Sequence, residues 1–187
     1  MSFGGVMVNV MLVSGFLSSL TLLSDVVIAL IVLLGIYKFA SKKELSPSIG
    51  NLKFFFKDNA VLMALIVALI ATAGSLFYSE IALYEPCKLC WLQRIFMYPL
   101  VLMFALALWK KDRRVFRYAV PMCIIGGLIS AYHYITQLIQ YSSSCGANSA
   151  VPCTVKYTFY FGYVTIPMMA LIAFVLILIL GYWASRR

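Results

Sequence analysis

Long apolar runs separated by short polar segments dominate the pattern of the chain. The runs cover about 6–37, 59–79, 91–109, 118–139 and 161–183. Each run is long enough to cross a hydrocarbon core about 30 Å thick as a helix of about 20 residues. None shows the alternation of apolar and polar residues that the wall of a membrane β-barrel requires. The pattern therefore predicts an all-α integral membrane protein with five spanning helices.

The first run is the least regular of the five, because it is the longest and contains Asp25 and several serines. One interpretation is an outer interfacial helix followed by a shorter span. Carboxylates inside a membrane are costly and often functional, so Asp25 is either a proton-handling or partner-contact group or a protonated, interface-level carboxylate near the helix start.

The composition supports a membrane location. Of the 187 residues, 64% are hydrophobic and 11% are charged, which is more apolar surface than a soluble domain of this size can bury. No basic residue precedes the first apolar run and no clear small-residue cleavage site follows it, so we expect no cleavable signal peptide.

The net charge of +9 is unevenly distributed along the chain. Twelve basic residues lie between the first two helices, between the third and fourth, or at the carboxyl terminus: Lys38, Lys42, Lys43, Lys53, Lys57, Lys110, Lys111, Arg113, Arg114, Arg117, Arg186 and Arg187. Basic residues favour cytoplasmic loops, so we expect the amino terminus outside and the carboxyl terminus in the cytoplasm. This distribution explains the charge without a nucleic-acid partner.

Four of the five cysteines fall in the two outer connections, where disulfides can form and persist. Cys87 and Cys90 lie in "EPCKLCWLQRIF" (85–96), in which Pro86 favours a helix start. The amino terminus of a helix stabilises a thiolate. Arg94, one turn after Cys90, either stabilises a thiolate and polarises a ligand oxygen or extends to the lipid headgroups.

The second outer pair, Cys145 and Cys153, lies in "SSSCGANSAVPCTV", a segment that can bend to close a disulfide. Three assignments of the four outer cysteines compete: two structural disulfides, a zinc site, or a thiol–disulfide exchange relay. The spacing of the second pair disfavours zinc, and structural bridges leave Arg94 unexplained. The fifth cysteine, Cys123, is expected to be a buried apolar residue.

Three sequence motifs resemble those of the DsbB family of membrane disulfide-generating oxidoreductases, especially its short-loop, BdbC-type members. They are "CKLCWLQR" (87–94), "YHYITQ" (132–137) with the cysteines that follow it, and "YFGYVTIPMMALIAF" (160–174). The resemblance covers about 59–187 and implies a four-helix transmembrane bundle with redox activity. Residues 1–58 would then add one N-terminal transmembrane helix and a basic cytoplasmic loop.

The resemblance implies a route for electrons at the outer face of a bacterial plasma membrane. Cys145 would form the mixed disulfide with a DsbA-like, thioredoxin-fold thiol oxidase, and Cys153 would pass the electrons to Cys87. Cys90 would become the thiolate that faces a membrane quinone, either ubiquinone or menaquinone. No metal is implied, and membrane lipid is the other expected partner.

Three further side chains are candidates for binding the quinone. Arg94 offers a cation near the oxygen where charge develops on reduction. His133, the only histidine, is either a donor to the reduced quinone or a satisfied interface histidine. Gln137, one turn later, either orients the same group or satisfies backbone near the headgroups.

Two departures from the common family pattern affect this hypothesis: the second cysteine pair is closely spaced, and an extra span precedes the bundle. Two alternative functions also remain at this point. One is a membrane thiol oxidoreductase similar to vitamin K epoxide reductase, and the other is a non-catalytic membrane scaffold with structural disulfides.

Overall fold

The fold is all-α in the part of the chain that the structure, a computed structural model, describes: residues 3–41, 58–140 and 151–185. Its five long helices are α1 (Phe3–Ser41), α2 (Ala60–Leu76), α3 (Lys88–Trp109), α4 (Phe116–Ile139) and α5 (Ile166–Ser185). A π-helical turn, Phe77–Ile81, extends α2, and a 3₁₀ turn, Arg113–Val115, precedes α4. All five helices are long and apolar enough to cross a membrane, which confirms the predicted fold class.

Helices α2 to α5 form a four-helix bundle in which each helix packs against two neighbours. The pairs in contact are α2 with α3, α3 with α4, α4 with α5, and α5 with α2. Large side chains fill the space between them, and Leu100, Phe104, Phe174 and Ile177 are fully buried. Helix α1 lies outside this ring and packs mainly against α5.

A glycine allows α4 and α5 to approach closely. A Cβ atom built on Gly126 would lie 2.4 Å from Cζ of Phe174, much closer than van der Waals contact allows. At the neighbouring Gly127, the nearest atom of Phe174 would be 3.7 Å away, an ordinary contact. Small residues at such contacts are a common feature of helix packing in membranes.

Helix α1 is continuous from Phe3 to Ser41, so the interpretation of an interfacial helix followed by a shorter span is wrong. The polar residues that suggested a break are accommodated within the helix. Ser18, Thr21 and Ser24 each donate a hydrogen bond to the carbonyl four residues earlier, at 2.7–2.9 Å. Hydroxyl groups bonded in this way do not need to leave the helix to find a partner.

The two ends of the bundle differ in charge. Helix α3 starts next to Cys87 and runs for 22 residues, about 33 Å, to the connection that leads into α4. At that far end Lys110, Lys111, Arg113 and Arg114 are exposed. Arg113 also forms an ion pair with Asp58 at the start of α2, with 2.9 Å between nitrogen and oxygen.

Candidate redox site

Cys87 and Cys90 lie together at the start of α3. Cys87 is the N-cap residue, with extended backbone, and Cys90 is in the first turn, as the sequence predicted. Both are free thiols, and their sulfur atoms are 3.3 Å apart. Cys87 is buried and Cys90 is partly exposed. The two thiols are therefore close enough to form a disulfide after a small movement.

His133 of α4 contacts this pair from the side. Its Nε2 atom lies 3.6 Å from Sγ of Cys87 and 3.1 Å from the carbonyl oxygen of Cys153. Its Nδ1 atom lies 3.1 Å from the amide nitrogen of Gln93. Because a carbonyl only accepts and an amide nitrogen only donates, this network places the imidazole proton on Nε2. That N–H is directed at the carbonyl of Cys153 and the sulfur of Cys87.

These contacts change the acidity of Cys87. The hydrogen bond with Cys90 is the main cause that lowers the pKa of the Cys87 thiol, and the hydrogen bond with His133 lowers it further. Burial acts in the opposite direction but is outweighed. The dithiol pair is thus polarised, with Cys87 favoured as the thiolate.

Cys153 lies in the segment before α5, and its carbonyl contacts the same nitrogen of His133 that faces Cys87. It is buried and disulfide-bonded, and it packs against Cys87 and Leu89. Gln137 supports this segment by donating a hydrogen bond to the carbonyl of Val155 at 2.9 Å. The remaining predicted site cysteine, Cys145, lies outside the described residues.

A cavity of about 330 Å³ opens beside Cys90. Apolar side chains of α1, α2, α3 and α5 form most of its lining, including Leu20, Ile70, Met97 and Met169. The polar groups in the lining concentrate near the start of α3, where Gln93 and Arg94 accompany Cys90. The cavity is therefore apolar along most of its wall and polar beside the sulfur.

Arg94 is fixed in the wall of this cavity by the neighbouring helix. Its Nε donates to Oγ of Ser75 at 3.0 Å, and its Nη2 donates to the carbonyl oxygen of Ser75 at 3.1 Å. The hydroxyl of Tyr98 donates to the same Oγ at 3.2 Å. The guanidinium carbon also lies 5.3 Å from the ring centroid of Trp91, a cation–π contact. A permanent positive charge is thus held in place near Cys90.

Aromatic rings form another part of the cavity wall. Tyr84 stacks on Tyr157 with 4.6 Å between ring centroids and 11° between ring planes. Tyr78 stacks on the other side of Tyr84, at 5.9 Å and 10°. All three residues line the cavity. Parallel rings give this part of the wall flat surfaces.

A second cavity, of about 20 Å³, borders both cysteines of the pair. Cys87, Cys90, His133, Gln137 and Cys153 all line it. Its lining mixes apolar side chains with polar groups, and it has room for about one water molecule. Within the described part of the chain, three buried oxygens in this lining have no hydrogen-bond partner: Oε1 of Gln137, Oγ1 of Thr158 and Oγ1 of Thr165.

The structure divides the predicted site residues between the two cavities. Arg94 lines the large one, whereas His133 and Gln137 line the small one and, among the described residues, are absent from the lining of the large one. Cys90 lines both. Quinone contacts by His133 and Gln137 stay a prediction, and the distances favour a role for His133 at the sulfurs.

Sequence reasoning missed several residues of the site, chiefly Gln93, Ser75 and the stacked tyrosines. Gln93 carried a local signal, because it lies three residues after Cys90 and hence on the same side of α3. Ser75 and Tyr157 carried none, because each reaches the site from a distant part of the chain. Cys123 is buried in the bundle core, as predicted.

Cys87, Cys90 and His133 also bring three ligand-type atoms within 4.8 Å of one another. This geometry is compatible with a metal ion, although all three side chains make the contacts described above. The absence of a metal cofactor stays a prediction.

Comparison with known proteins identifies relatives of the bundle. The family model described as "Disulfide bond formation protein DsbB" matches residues 57–184. A probable disulfide formation protein C of Bacillus cereus is 48% identical over 127 residues, which cover 67% of this chain and 91% of the relative. Disulfide bond formation protein C of Bacillus subtilis is 51% identical over 115 residues, 61% of this chain and 83% of the relative. No solved structure matches the chain significantly.

Proposed function

The chain belongs to the DsbB family of membrane disulfide bond formation proteins, and from this membership we propose that it is a dithiol:quinone oxidoreductase. In this proposal it reoxidises a DsbA-like, thioredoxin-fold thiol oxidase outside the cytoplasm of a bacterium. Thiol–disulfide oxidoreductase activity follows from the family, and the quinone and the donor are the proposed details.

The observation that carries the proposal is the position of Cys90 between two unlike cavities. On one side, the small cavity is lined by His133 and Cys153 as well as Cys90. On the other, the large apolar cavity contains Arg94. The pair can therefore exchange with a second cysteine pair through Cys87, which packs against Cys153, and with an apolar oxidant through Cys90, which lines the large cavity.

The large cavity fits a quinone in size and chemistry. Its volume of about 330 Å³ lies within the usual range of small-molecule sites, roughly 300–1,000 Å³. Its apolar lining suits a lipid-soluble molecule, and the flat tyrosine rings suit a planar one. When bound, a quinone supplies an acceptor for two electrons and two protons. Arg94 would orient its ring oxygen and stabilise negative charge there.

The proposed exchange moves one electron pair through two cysteine couples. The partner's two thiols reduce the Cys145–Cys153 disulfide and become a disulfide themselves. The thiolate of Cys153 then attacks Cys87 of an oxidised Cys87–Cys90 pair, forming a Cys87–Cys153 bond and releasing Cys90 as the thiolate. Cys145 resolves that bond, which restores Cys145–Cys153 and releases Cys87. The dithiol pair finally loses two electrons and two protons and returns to its disulfide.

His133 assists the release of Cys87 in this sequence. Its Nε2–H points at the sulfur that must leave as a thiolate when Cys145 attacks. A leaving thiol with a lower pKa departs faster in thiol–disulfide exchange. Gln93 is a positioning residue, because its amide fixes the tautomer of the imidazole.

The central test is turnover by cysteine variants of the purified protein. Reduced thioredoxin-fold partner and a soluble short-chain quinone are supplied, and loss of quinone absorbance is followed. We expect Cys90→Ser to abolish turnover because the pair can no longer form a disulfide, whereas Cys123→Ala should retain it. Normal turnover by Cys90→Ser would contradict the proposed transfer of electrons from the cysteine pair to the quinone. It would favour a scaffold with incidental disulfides.

Arg94 is tested separately, through the dependence of the rate on quinone concentration. Arg94→Met removes the charge that faces the cavity, so KM for the quinone should rise roughly 10-fold or more, the effect of losing about 1.4 kcal/mol of binding. Arg117→Met, an exposed change at the opposite end of the bundle, is the control. Equal KM values in the two variants would exclude Arg94 from the quinone site.

A further inference from the structure

Helix α1 presents its small polar face to the bundle and its large apolar side chains outward. Ser14, Ser18 and Thr21, spaced by four and three residues, are 2%, 0% and 7% exposed. Leu12 and Leu23 are 66% and 60% exposed. In lipid, small faces allow helices to approach each other, whereas leucines suit contact with acyl chains. The sequence of α1 is thus organised for packing against another membrane helix on one side only.

Two contacts hold this face against the bundle. Leu17 packs so closely against α2 that a Cβ atom on Gly74 would lie only 3.0 Å from its Cδ1. Farther along α1, Oδ2 of Asp25 accepts a hydrogen bond from the hydroxyl of Tyr163 at 2.8 Å. The carboxylate bond also raises the pKa of Tyr163, which keeps its hydroxyl protonated and able to donate. Asp25, unexplained by the redox chemistry, therefore has a defined partner in the segment before α5.

Between these contacts, α1 forms one wall of the large cavity. Leu17, Leu20, Thr21 and Ser24 all line it, as do Cys90 and Arg94 of α3. The family match begins at residue 57, so this wall lies outside the matched part of the chain. The matched bundle alone would leave that side of the cavity without these four side chains.

We infer that α1 is a component of the quinone site that sets its affinity and selectivity, with the Asp25–Tyr163 hydrogen bond holding the helix in place. This inference rests on the proposed function for the identity of the ligand. Leu17 and Leu20 contribute apolar contact to the ligand and separate it from the surrounding acyl chains, which would otherwise compete for the same surface. The side chains of α1 would then determine which substituents on the quinone ring the site accepts.

A tryptophan scan on two sides of α1 tests the inference in the full-length protein in lipid nanodiscs. Leu20→Trp fills part of the cavity, and Leu23→Trp places the same side chain on the outward face. We expect Leu20→Trp to raise KM for a short-chain quinone about 10-fold with little change in kcat, and Leu23→Trp to match the wild type. Binding is measured independently as the rise in unfolding temperature that the quinone produces, which should shrink only in Leu20→Trp.

The Asp25–Tyr163 hydrogen bond is tested by Tyr163→Phe, which removes one hydroxyl and keeps the ring. It should raise KM for the quinone roughly fivefold, an effect that matches one ordinary hydrogen bond. Adding Asp25→Asn should then cause little further change, because the two side chains act as one contact. KM for the reduced thioredoxin-fold partner should be unaffected in both variants.

The outcomes separate this inference from the function on which it rests. If the wild type neither turns over nor is stabilised by quinone, the proposed function fails. If the wild type does both and Leu20→Trp behaves like Leu23→Trp, the function stands and α1 is not part of the site. A loss of thermal stability without quinone in Leu20→Trp alone would also count against the inference, since α1 would then act through folding.

Discussion

At the scale of single residues, the contacts of Cys87 bear on the direction of electron flow. The hydrogen bonds from its neighbours favour the thiolate, which exists only in the reduced pair. Stabilising the reduced form raises the reduction potential of a cysteine couple, by about 30 mV for each 1.4 kcal/mol. In the proposed sequence, the network of Gln93, His133 and Cys87 would therefore make this couple a better acceptor for electrons from Cys153.

The lowered pKa of Cys87 predicts a specific pH dependence. The reduced protein should retain the ultraviolet absorbance of a thiolate at neutral pH, below the range near 8.5 in which an ordinary thiol ionises. Because the folded-state pKa is below the unfolded one, the thiolate stabilises the reduced fold fully above about pH 8.5, and this stabilisation is lost as the pH falls through the folded pKa. His133→Ala should move the absorbance midpoint to higher pH.

Serine variants identify the sulfur responsible for that absorbance. Cys87→Ser should remove the neutral-pH signal, whereas Cys90→Ser should leave part of it because serine can still donate to the Cys87 sulfur. A signal that survives in Cys87→Ser would instead assign the thiolate to Cys90.

At the scale of helices, the contact between α4 and α5 depends on the absence of a side chain at one position. Phe174 is fully buried and its ring occupies the space where a Cβ of residue 126 would lie. Helix α4 carries His133 and α5 follows the segment that contains Cys153. The distance between these helices therefore influences the contact between the imidazole and the carbonyl of Cys153.

Alanine substitutions at two adjacent glycines test this packing. Gly126→Ala should destabilise the bundle by about 1–3 kcal/mol, the usual effect of overpacking a filled core. Gly127→Ala should leave stability unchanged or raise it by up to about 1 kcal/mol, because alanine is the better helix former. Thermal unfolding in detergent micelles measures both. Equal unfolding temperatures would mean that Phe174 moves aside without strain.

The same elements show what could be predicted from the sequence. The length and hydrophobicity of the five runs were sufficient to predict the five helices. Pro86 and the cysteine spacing were sufficient to predict where α3 begins. Local sequence was not sufficient to predict which side chains on different helices contact each other. His133 was a candidate for the quinone because it lies near the end of an outward helix, and the contact of its ring with Cys87 could not be foreseen from that position. The serines of α1 suggested a break, although their spacing of three and four residues marks a packing face.

At the scale of the whole molecule, the sulfurs lie at one end of the bundle and the exposed cluster of Lys110, Lys111, Arg113 and Arg114 lies at the other. Lys88 and Lys156 are exposed near the sulfurs, so the basic residues are unequally divided between the ends. This separation supports the proposed orientation, with the redox pair outside and the connection between α3 and α4 in the cytoplasm. The direction of insertion in a membrane stays a prediction.

Two reporter fusions test that orientation in bacterial cells. A phosphatase that is active only after export should be inactive when fused after Arg187 and active when fused after Gln140, at the end of α4 nearest the sulfurs. The expected difference arises because the basic ends remain in the cytoplasm. Phosphatase activity of the Arg187 fusion would indicate the opposite topology, with the cysteines in a reducing compartment.

The position of Cys90 on the border of two cavities has a consequence for how charge leaves the site. Oxidation of a dithiol releases electrons and protons together, but the two need not travel by the same route. In the proposed reaction the large apolar cavity beside Arg94 would take a neutral, two-electron acceptor, whereas His133, Gln137 and two threonine hydroxyls line the small cavity and would pass on a proton. Cys90, with Tyr157 and Ile166, lines both cavities, so in the proposed reaction the electrons and protons released at its sulfur would leave through different parts of the bundle.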